Sequence, residues 1–202
     1  MYELIILGFL MRQPYHGYTM AKIINDMIGP FAKVSNGRLY PLLTALEKNG
    51  FIVTVTDAPR PPNERHQRIF ALTDTGRERF HQVMMDTTSN PGEYRTIFWH
   101  KVPYLGAIRP DERLYLIEHY SNYCQTHIFH LTSELHDLTR EAERQHWLTP
   151  AQLARTSASI EHILAIWKLT LENACSLHDA ETQRIAQSDG AIEAPTMPNE
   201  HT

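Results

Sequence analysis

Cysteine is nearly missing from this chain: Cys124 and Cys175 are its two copies. They lie far apart with no Cys-x-x-Cys spacing, which argues against a disulfide or zinc framework. No apolar run is long enough for a bilayer span, and the chain opens without a secretory leader, so the expectation is a cytoplasmic protein. Catalytic signatures are lacking too. No Gly-rich phosphate loop, Ser-His-Asp order with an elbow, HExxH or acidic pair at a strand end is found, so an enzyme is not expected. Neither a metal nor a cofactor is expected. His119, Tyr123, His127 and His130 share a helical face, but no acidic or cysteine ligand completes a set there. Protonation of one of the twelve histidines offers a possible pH response, yet no single one stands out.

Strong positive charge is absent as well. The net charge is −4, which suits a nucleic-acid binder only once it is divided along the chain. Residues 1–86 hold ten Lys and Arg against eight Asp and Glu, whereas residues 87–202 hold nine against fifteen. An acidic second half is repelled by phosphate and is expected to point away from any DNA that the first half binds. The length allows one or two domains with a proper core.

What is present is concentrated in residues 34–52. Ser35 is placed to cap a helix with its hydroxyl, and Leu39, Leu42, Leu43 and Leu46 recur at helical spacing. Gly50 ends the helix and Phe51 opens an extended run. Arg38, Tyr40, Thr44 and Lys48 fall around the other face. Pro41 inside this helix removes a donor and crowds the Gly37 carbonyl. Either the helix starts later, near Leu39, or it is kinked so that Asn36, Arg38 and Tyr40 tilt outwards. Asn36 and Arg38 are expected to reach bases, and Tyr40 a phosphate or, alternatively, the core.

The flanking segments complete a unit. Residues 4–10 read as a short buried helix, 14–18 as a turn and 19–28 as a second helix. Residues 51–56 and 67–72 read as two strands. Between the strands lies a tip with three prolines, made basic by Arg60, Arg65, His66 and Arg68. Residues 73–76 cap a fourth helix with Phe80, Val83 and Met84 on its apolar side. This is the pattern of a winged helix-turn-helix with a two-stranded wing. Its expected DNA contacts are Tyr18, Lys33, Ser35, Asn36, Arg38, Tyr40, Thr44, Arg60, Arg65, His66 and Arg68.

The second half reads differently. Residues 89–92 mark a boundary, 94–105 form a short amphipathic segment, and long helices follow after Pro110 and Pro150. In the first, Leu114, Ile117, Ser121, Cys124, Ile128, Leu131, Leu135, Leu138 and Ala142 alternate at spacings of three and four. In the second, Ile160, Leu164, Trp167, Leu171 and Ala174 do the same, broadened by Ile163 and Ile166. One seam is satisfied by folding the two helices together, and two wide seams leave apolar surface for a second copy. The expected dimer residues are Leu114, Ile117, Cys124, Ile128, Leu131, Ile160, Leu164, Trp167 and Leu171. The expected division is residues 1–88 for DNA binding, 93–188 for a helical dimerisation and effector domain, and 189–202 for a disordered tail.

The ordered set Leu7-Gly8-Phe9-Leu10, His16-Gly17-Tyr18, Gly29-Pro30-Phe31, Gly37-Arg38-Leu39-Tyr40-Pro41, Leu46-Glu47 with Gly50, and Leu72-Thr73-Asp74-Thr75-Gly76 resembles the PadR family of bacterial transcriptional regulators. The rest of the chain looks like the long helical dimerisation domain of one branch of that family. The resemblance implies a mainly α protein that acts as a homodimeric repressor on a two-fold related DNA operator. It also implies release by a small phenolic acid, for which Phe98, Trp99, His100, Tyr104, Tyr120, Tyr123 and His127 are candidate wall residues. Inter-helix packing is the other reading of those aromatics. A protein-docking winged helix and a ligand-independent activator are the competing functions; the arginines of the wing argue against the first.

Overall fold

The computed structural model describes residues 1–29, 34–55, 68–145 and 148–192, without the side chains of residues 36, 143–145 and 189–192. The chain divides into two compact units, Met1–Ile108 and Arg109–Thr202.

The first unit is built around α1 (Tyr2–Leu10), in which Leu4 through Leu10 are all buried. A helix apolar on every side has no solvent face to offer and becomes the centre of its domain. Around it come β1 (Tyr15–His16), α2 (Gly17–Ile28), α3 (Asn36–Lys48), β2 (Ile52–Val55), β3 (Ile69–Leu72) and α4 (Asp74–Met85). The sheet has three strands in the order β1-β3-β2, both pairs antiparallel. Residues 15 and 16 are therefore an edge strand rather than part of a turn: Tyr15 pairs with Phe70 and His16 with Ile69. Ile52 and Phe70 turn inwards at 2% and 0% exposure, while Val53 and Val55 face out, as strand alternation requires.

Helix α4 starts as its sequence predicts. The Thr73 hydroxyl accepts from the Gly76 amide at 3.0 Å, and Phe80 and Met84 are buried. Helix α3 starts differently. Ser35 occupies the N-cap but its side chain makes no cap bond. Its carbonyl instead accepts from the Arg38 and Leu39 amides at 3.0 Å. The helix then runs unbroken through Pro41. The donor that proline removes is owed to the carbonyl of Gly37, an exposed residue open to hydration.

The compact division falls after Ile108, not at residues 89–92. Residues 91–107 form a 3-10 turn, α5 (Tyr94–Lys101) and a second 3-10 stretch, Val102–Ala107. Tyr104 carries this segment into the first core. It is 3% exposed, stands edge-on to Phe9 and Phe80, and donates to the Ile5 carbonyl at 3.4 Å. Lys101 is fully buried and donates to the Asp86 carbonyl at 2.5 Å.

The second unit is an antiparallel pair, α6 (Pro110–Gln145) and α7 (Pro150–Ile192). Arg113 meets Glu181, Glu118 meets His178 and His127 stacks on Trp167, which gives the register. The heptad seam of α6 is buried or half-buried throughout, from Leu114 to Ala142. Its counterpart on α7 extends beyond the apolar residues, from Leu153 to Ile185, still at alternating four and three. Residues 189–192 belong to α7, not to a tail; residues 193–202 lie outside the described residues. Among the described residues, no helix is long and apolar enough to cross a membrane.

Candidate nucleic-acid interface

Helix α3 buries Leu39, Leu43 and Leu46 at 3% exposure or less. That burial turns Arg38, Tyr40, Thr44 and Lys48 outwards, and all four are exposed. Burying a leucine contributes about 1.5–3 kcal/mol, so three of them determine which side of the helix faces away from the core.

The approach to α3 is held by a residue that the sequence pattern does not reveal. Asn25 on α2 accepts from the Val34 amide at 2.7 Å and returns a bond to the Val34 carbonyl at 3.2 Å. An amide side chain matches both backbone groups of one residue, and Val34 is buried behind it. Beside this lock, an open groove of about 480 Å³ is lined by Tyr18, Ala21, Lys22, Asn25, Asp26, Val34 and Ser35. Tyr18 is 65% exposed. Lys22, exposed and four residues further along α2, adds a cation on the same face. It is not among the contacts expected from the sequence, and its spacing from Tyr18 is the signal that could have found it.

Arg38 lies over the Tyr2 ring at 5.5 Å, a cation–π contact that orients it from α1. Tyr40 rests against Gly17: a Cβ there would stand 3.1 Å from the Tyr40 hydroxyl. Arg68, another of the expected contacts, is paired within the unit. Its Nη2 donates to Glu47 Oε2 at 2.5 Å and to the Thr54 hydroxyl at 2.8 Å, and its guanidinium covers Phe70 at 4.9 Å. Lys33, Arg60, Arg65 and His66, all expected contacts, lie outside the described residues, as does the Asn36 side chain. Tyr18, Ser35, Arg38, Tyr40 and Thr44 are thus the expected contacts that the first unit exposes around α3.

The seven candidate ligand residues divide between the units. In the first, Phe98 and Tyr104 are core, and burial pushes the Tyr104 phenol up to about 12. Tyr104 is therefore a packing residue, not a donor for a ligand. Trp99 is 38% exposed next to Phe98, and burial holds the half-buried His100 below its ordinary pKa. In the second, Tyr120 is fully buried, and Tyr123 stands edge-on to both His127 and Trp167. His127 lies flat on Trp167, 4.1 Å between centroids with the planes 4° apart. Tyr123 and His127 of α6 are thus engaged in inter-helix packing, where Trp167 meets them from the seam of α7. A groove of about 440 Å³ in this unit is lined by Glu118, Ser121, Asn122, Cys175, His178 and Asp179, none of them among the candidates. Among the described residues, no three His, Cys, Asp or Glu side chains are grouped to hold a metal.

The nine expected dimer residues lie on the α6–α7 seam, where Ile117, Cys124, Leu164 and Trp167 are buried and the others half-buried within one chain. Apolar side chains left outside are Phe129 at 77%, Leu169 at 58%, Ile163 at 41% and Ile166 at 38%.

Residues 6–82 match the model of the transcriptional regulator PadR-like family. No curated protein matches the chain in sequence. Solved structures similar to it include Bacillus subtilis PadR in complex with operator DNA, with 18% identity, 85% of this chain and 98% of that one covered, and a TM-score of 0.39. The same protein in complex with p-coumaric acid has 18% identity, coverage of 89% and 98%, and a TM-score of 0.37. The PadR-like regulator BC1756 of Bacillus cereus has 19% identity, coverage of 91% and 99%, and a TM-score of 0.34. These are distant likenesses, and nothing about this chain's own partners follows from them.

Proposed function

Since residues 6–82 match the model of the PadR-like family of transcriptional regulators, we propose that the chain is such a regulator, which binds double-stranded operator DNA as a homodimer and represses the gene it controls. One observation carries the DNA reading. The exposed side of α3 and its neighbour α2 bring Arg38, Tyr40, Thr44, Lys48, Tyr18 and Lys22 to one region of the first unit, backed by buried leucines. A helix whose N-terminal half carries an arginine and polar side chains over a rigid apolar base is suited to reading base edges in a major groove. Arg60, Arg65 and His66 belong to the proposal as phosphate contacts, Asn36 as a contact to bases, and Lys33 as a further contact to DNA.

The homodimer is supported by Ile163, Ile166 and Leu169, which stay exposed after α6 and α7 have buried their seam. Soluble proteins seldom leave such a cluster on one helix uncovered. A symmetric pair holds two recognition helices about one DNA turn, ~34 Å, apart and so reads a two-fold related site. Control by a flat aromatic acid rests on Trp99 and His100, the two candidate wall residues of the first unit that are not core.

The experiment is fluorescence anisotropy of the full chain with a duplex of the region upstream of its own gene, at two salt concentrations, with and without hydroxycinnamic and benzoic acids. The wild type is expected to bind in a salt-sensitive way. Arg38→Ala, with its circular dichroism unchanged, is expected to weaken binding by about ten-fold or more, since one bidentate base contact contributes about 1–3 kcal/mol. A folded wild type that ignores the duplex overturns the reading. Binding that no acid releases removes the effector and keeps the DNA.

A further inference from the structure

The chemistry around Arg68 is unusual for an arginine at the base of a DNA-binding wing. Three elements converge on it: the last turn of α3 through Glu47, β2 through Thr54, and the entry to β3 through Arg68 itself. The three side chains close a ring of hydrogen bonds. Arg68 Nη2 donates to Glu47 Oε2 at 2.5 Å and to Thr54 Oγ1 at 2.8 Å, while Thr54 Oγ1 donates to Glu47 Oε1 at 2.6 Å. The guanidinium is also fixed over the Phe70 ring, and Phe70 is a fully buried strand residue. The Thr54 hydroxyl and, after it, Arg68 hold the Glu47 carboxyl below its usual pKa, so the carboxylate is ionised at neutral pH.

Two consequences follow. One guanidinium nitrogen bound to a carboxylate on one element and a hydroxyl on another ties the two together, and the planar group is held over Phe70 in a way a lysine's ammonium would not be. A guanidinium already paired with a carboxylate also presents almost no net charge to a phosphate. The pair is not sealed off, being 41% exposed at Arg68 and 30% at Glu47. Without Glu47, the positive charge would therefore stand open beside the recognition helix.

We propose that Arg68 is a positioning residue that fixes the β2–β3 wing to the recognition helix, and that Glu47 withdraws its charge from DNA and so holds down affinity for duplexes of arbitrary sequence. This rests on the DNA reading above. A free arginine there would strengthen binding to every sequence alike, because phosphate contacts carry no sequence information. Cancelling it costs affinity and raises the ratio of specific to non-specific binding.

The test uses the full chain, anisotropy over a series of salt concentrations, and two duplexes of equal length: the region upstream of its own gene and a scrambled sequence. Arg68→Ala combined with Glu47→Gln, which leaves no unpaired charge, is expected to lower affinity for the upstream duplex by about ten-fold while the slope of log K against log salt stays at the wild-type value. Glu47→Gln is expected to steepen that slope by about one and to raise affinity for the scrambled duplex several-fold. Circular dichroism checks the fold. If that combined variant does not fold, Arg68→Lys, which keeps the charge, replaces it, with the same expected loss at unchanged slope. A slope flattened by about one in the Arg68 variant, or an unchanged one in Glu47→Gln, overturns the inference while leaving the DNA reading intact. A wild type that binds neither duplex overturns both.

Discussion

Gly76 shows how one atom governs the start of a helix. It sits in the first turn of α4, and a Cβ placed on it would lie 1.9 Å from the Phe51 carbonyl oxygen and 2.7 Å from Leu72 Cδ1. The carbonyl is backbone, already accepting from the Thr73 amide and hydroxyl, so it has little room to retreat. Gly76→Ala is expected to destabilise the first unit by about 3 kcal/mol, read as a lower urea midpoint, because overpacking against backbone falls at the costly end of its range. Lys101 makes a second prediction. Burial lowers its pKa from the ordinary 10.5 to about 8, with the Asp86 charge opposing the change. Between those two values the unfolded chain binds more protons than the folded one, so this group's contribution to stability grows as pH rises from about 8 towards 10.5 and is lost on the way down. Thermal unfolding of the wild type compared with Lys101→Met from pH 7.5 to 10.5 should show the wild type gaining on the variant. Parallel curves would contradict it.

At the scale of elements, α6 and α7 are held by a seam in which Trp167 is the largest side chain. It is 8% exposed, lies flat on His127 and takes the edge of Tyr123. Trp167→Ala removes that stack and leaves a cavity between the helices. The expected loss is about 3–5 kcal/mol, measured by chemical denaturation. The spacing of three and four made this seam legible in advance, because a period that long has few alternative explanations. Strand β1 was not legible in the same way. Two residues carry no period, and Tyr15 and His16 become a strand because Phe70 and Ile69 stand opposite with free backbone groups. Local chemistry placed the N-cap at Ser35 but not its hydrogen bond. A serine before a helix is available for capping, but its rotamer is decided by surroundings that the local sequence does not specify.

The whole molecule raises the matter of partners. Ile163 and Ile166 are exposed on α7 while the seam beside them is closed within the chain. If a second copy covers them, Ile163→Glu together with Ile166→Glu should convert a dimer into a monomer in sedimentation equilibrium, with the helical content kept. DNA affinity should then fall, since each half-site alone contacts only a few bases. A variant that remains a dimer would place the interface elsewhere. The units themselves divide at Ile108 because Tyr104 and Lys101 are committed to α1 and α4, so residues 94–107 belong with the first unit.

Much of this protein was settled by its sequence alone. The apolar period of α3, the cap at Thr73, the two heptad seams and the ordered family motifs are local or regular, and each needs only the chain near it to be read. The outward side of α3 followed from the same period, and Arg38, Tyr40 and Thr44 are exposed on it. Tertiary structure decided what depends on residues distant in the chain. It turned Arg68 from a candidate phosphate contact into the partner of Glu47, 21 residues away. It made Tyr104 a core residue by setting it against Gly8 and Ile5, and it used the predicted dimer seam to close one chain's own hairpin. The physical reason is common to all three. A charge, a phenol or an apolar stripe announces that it needs a partner, and only the folded chain determines which partner arrives first.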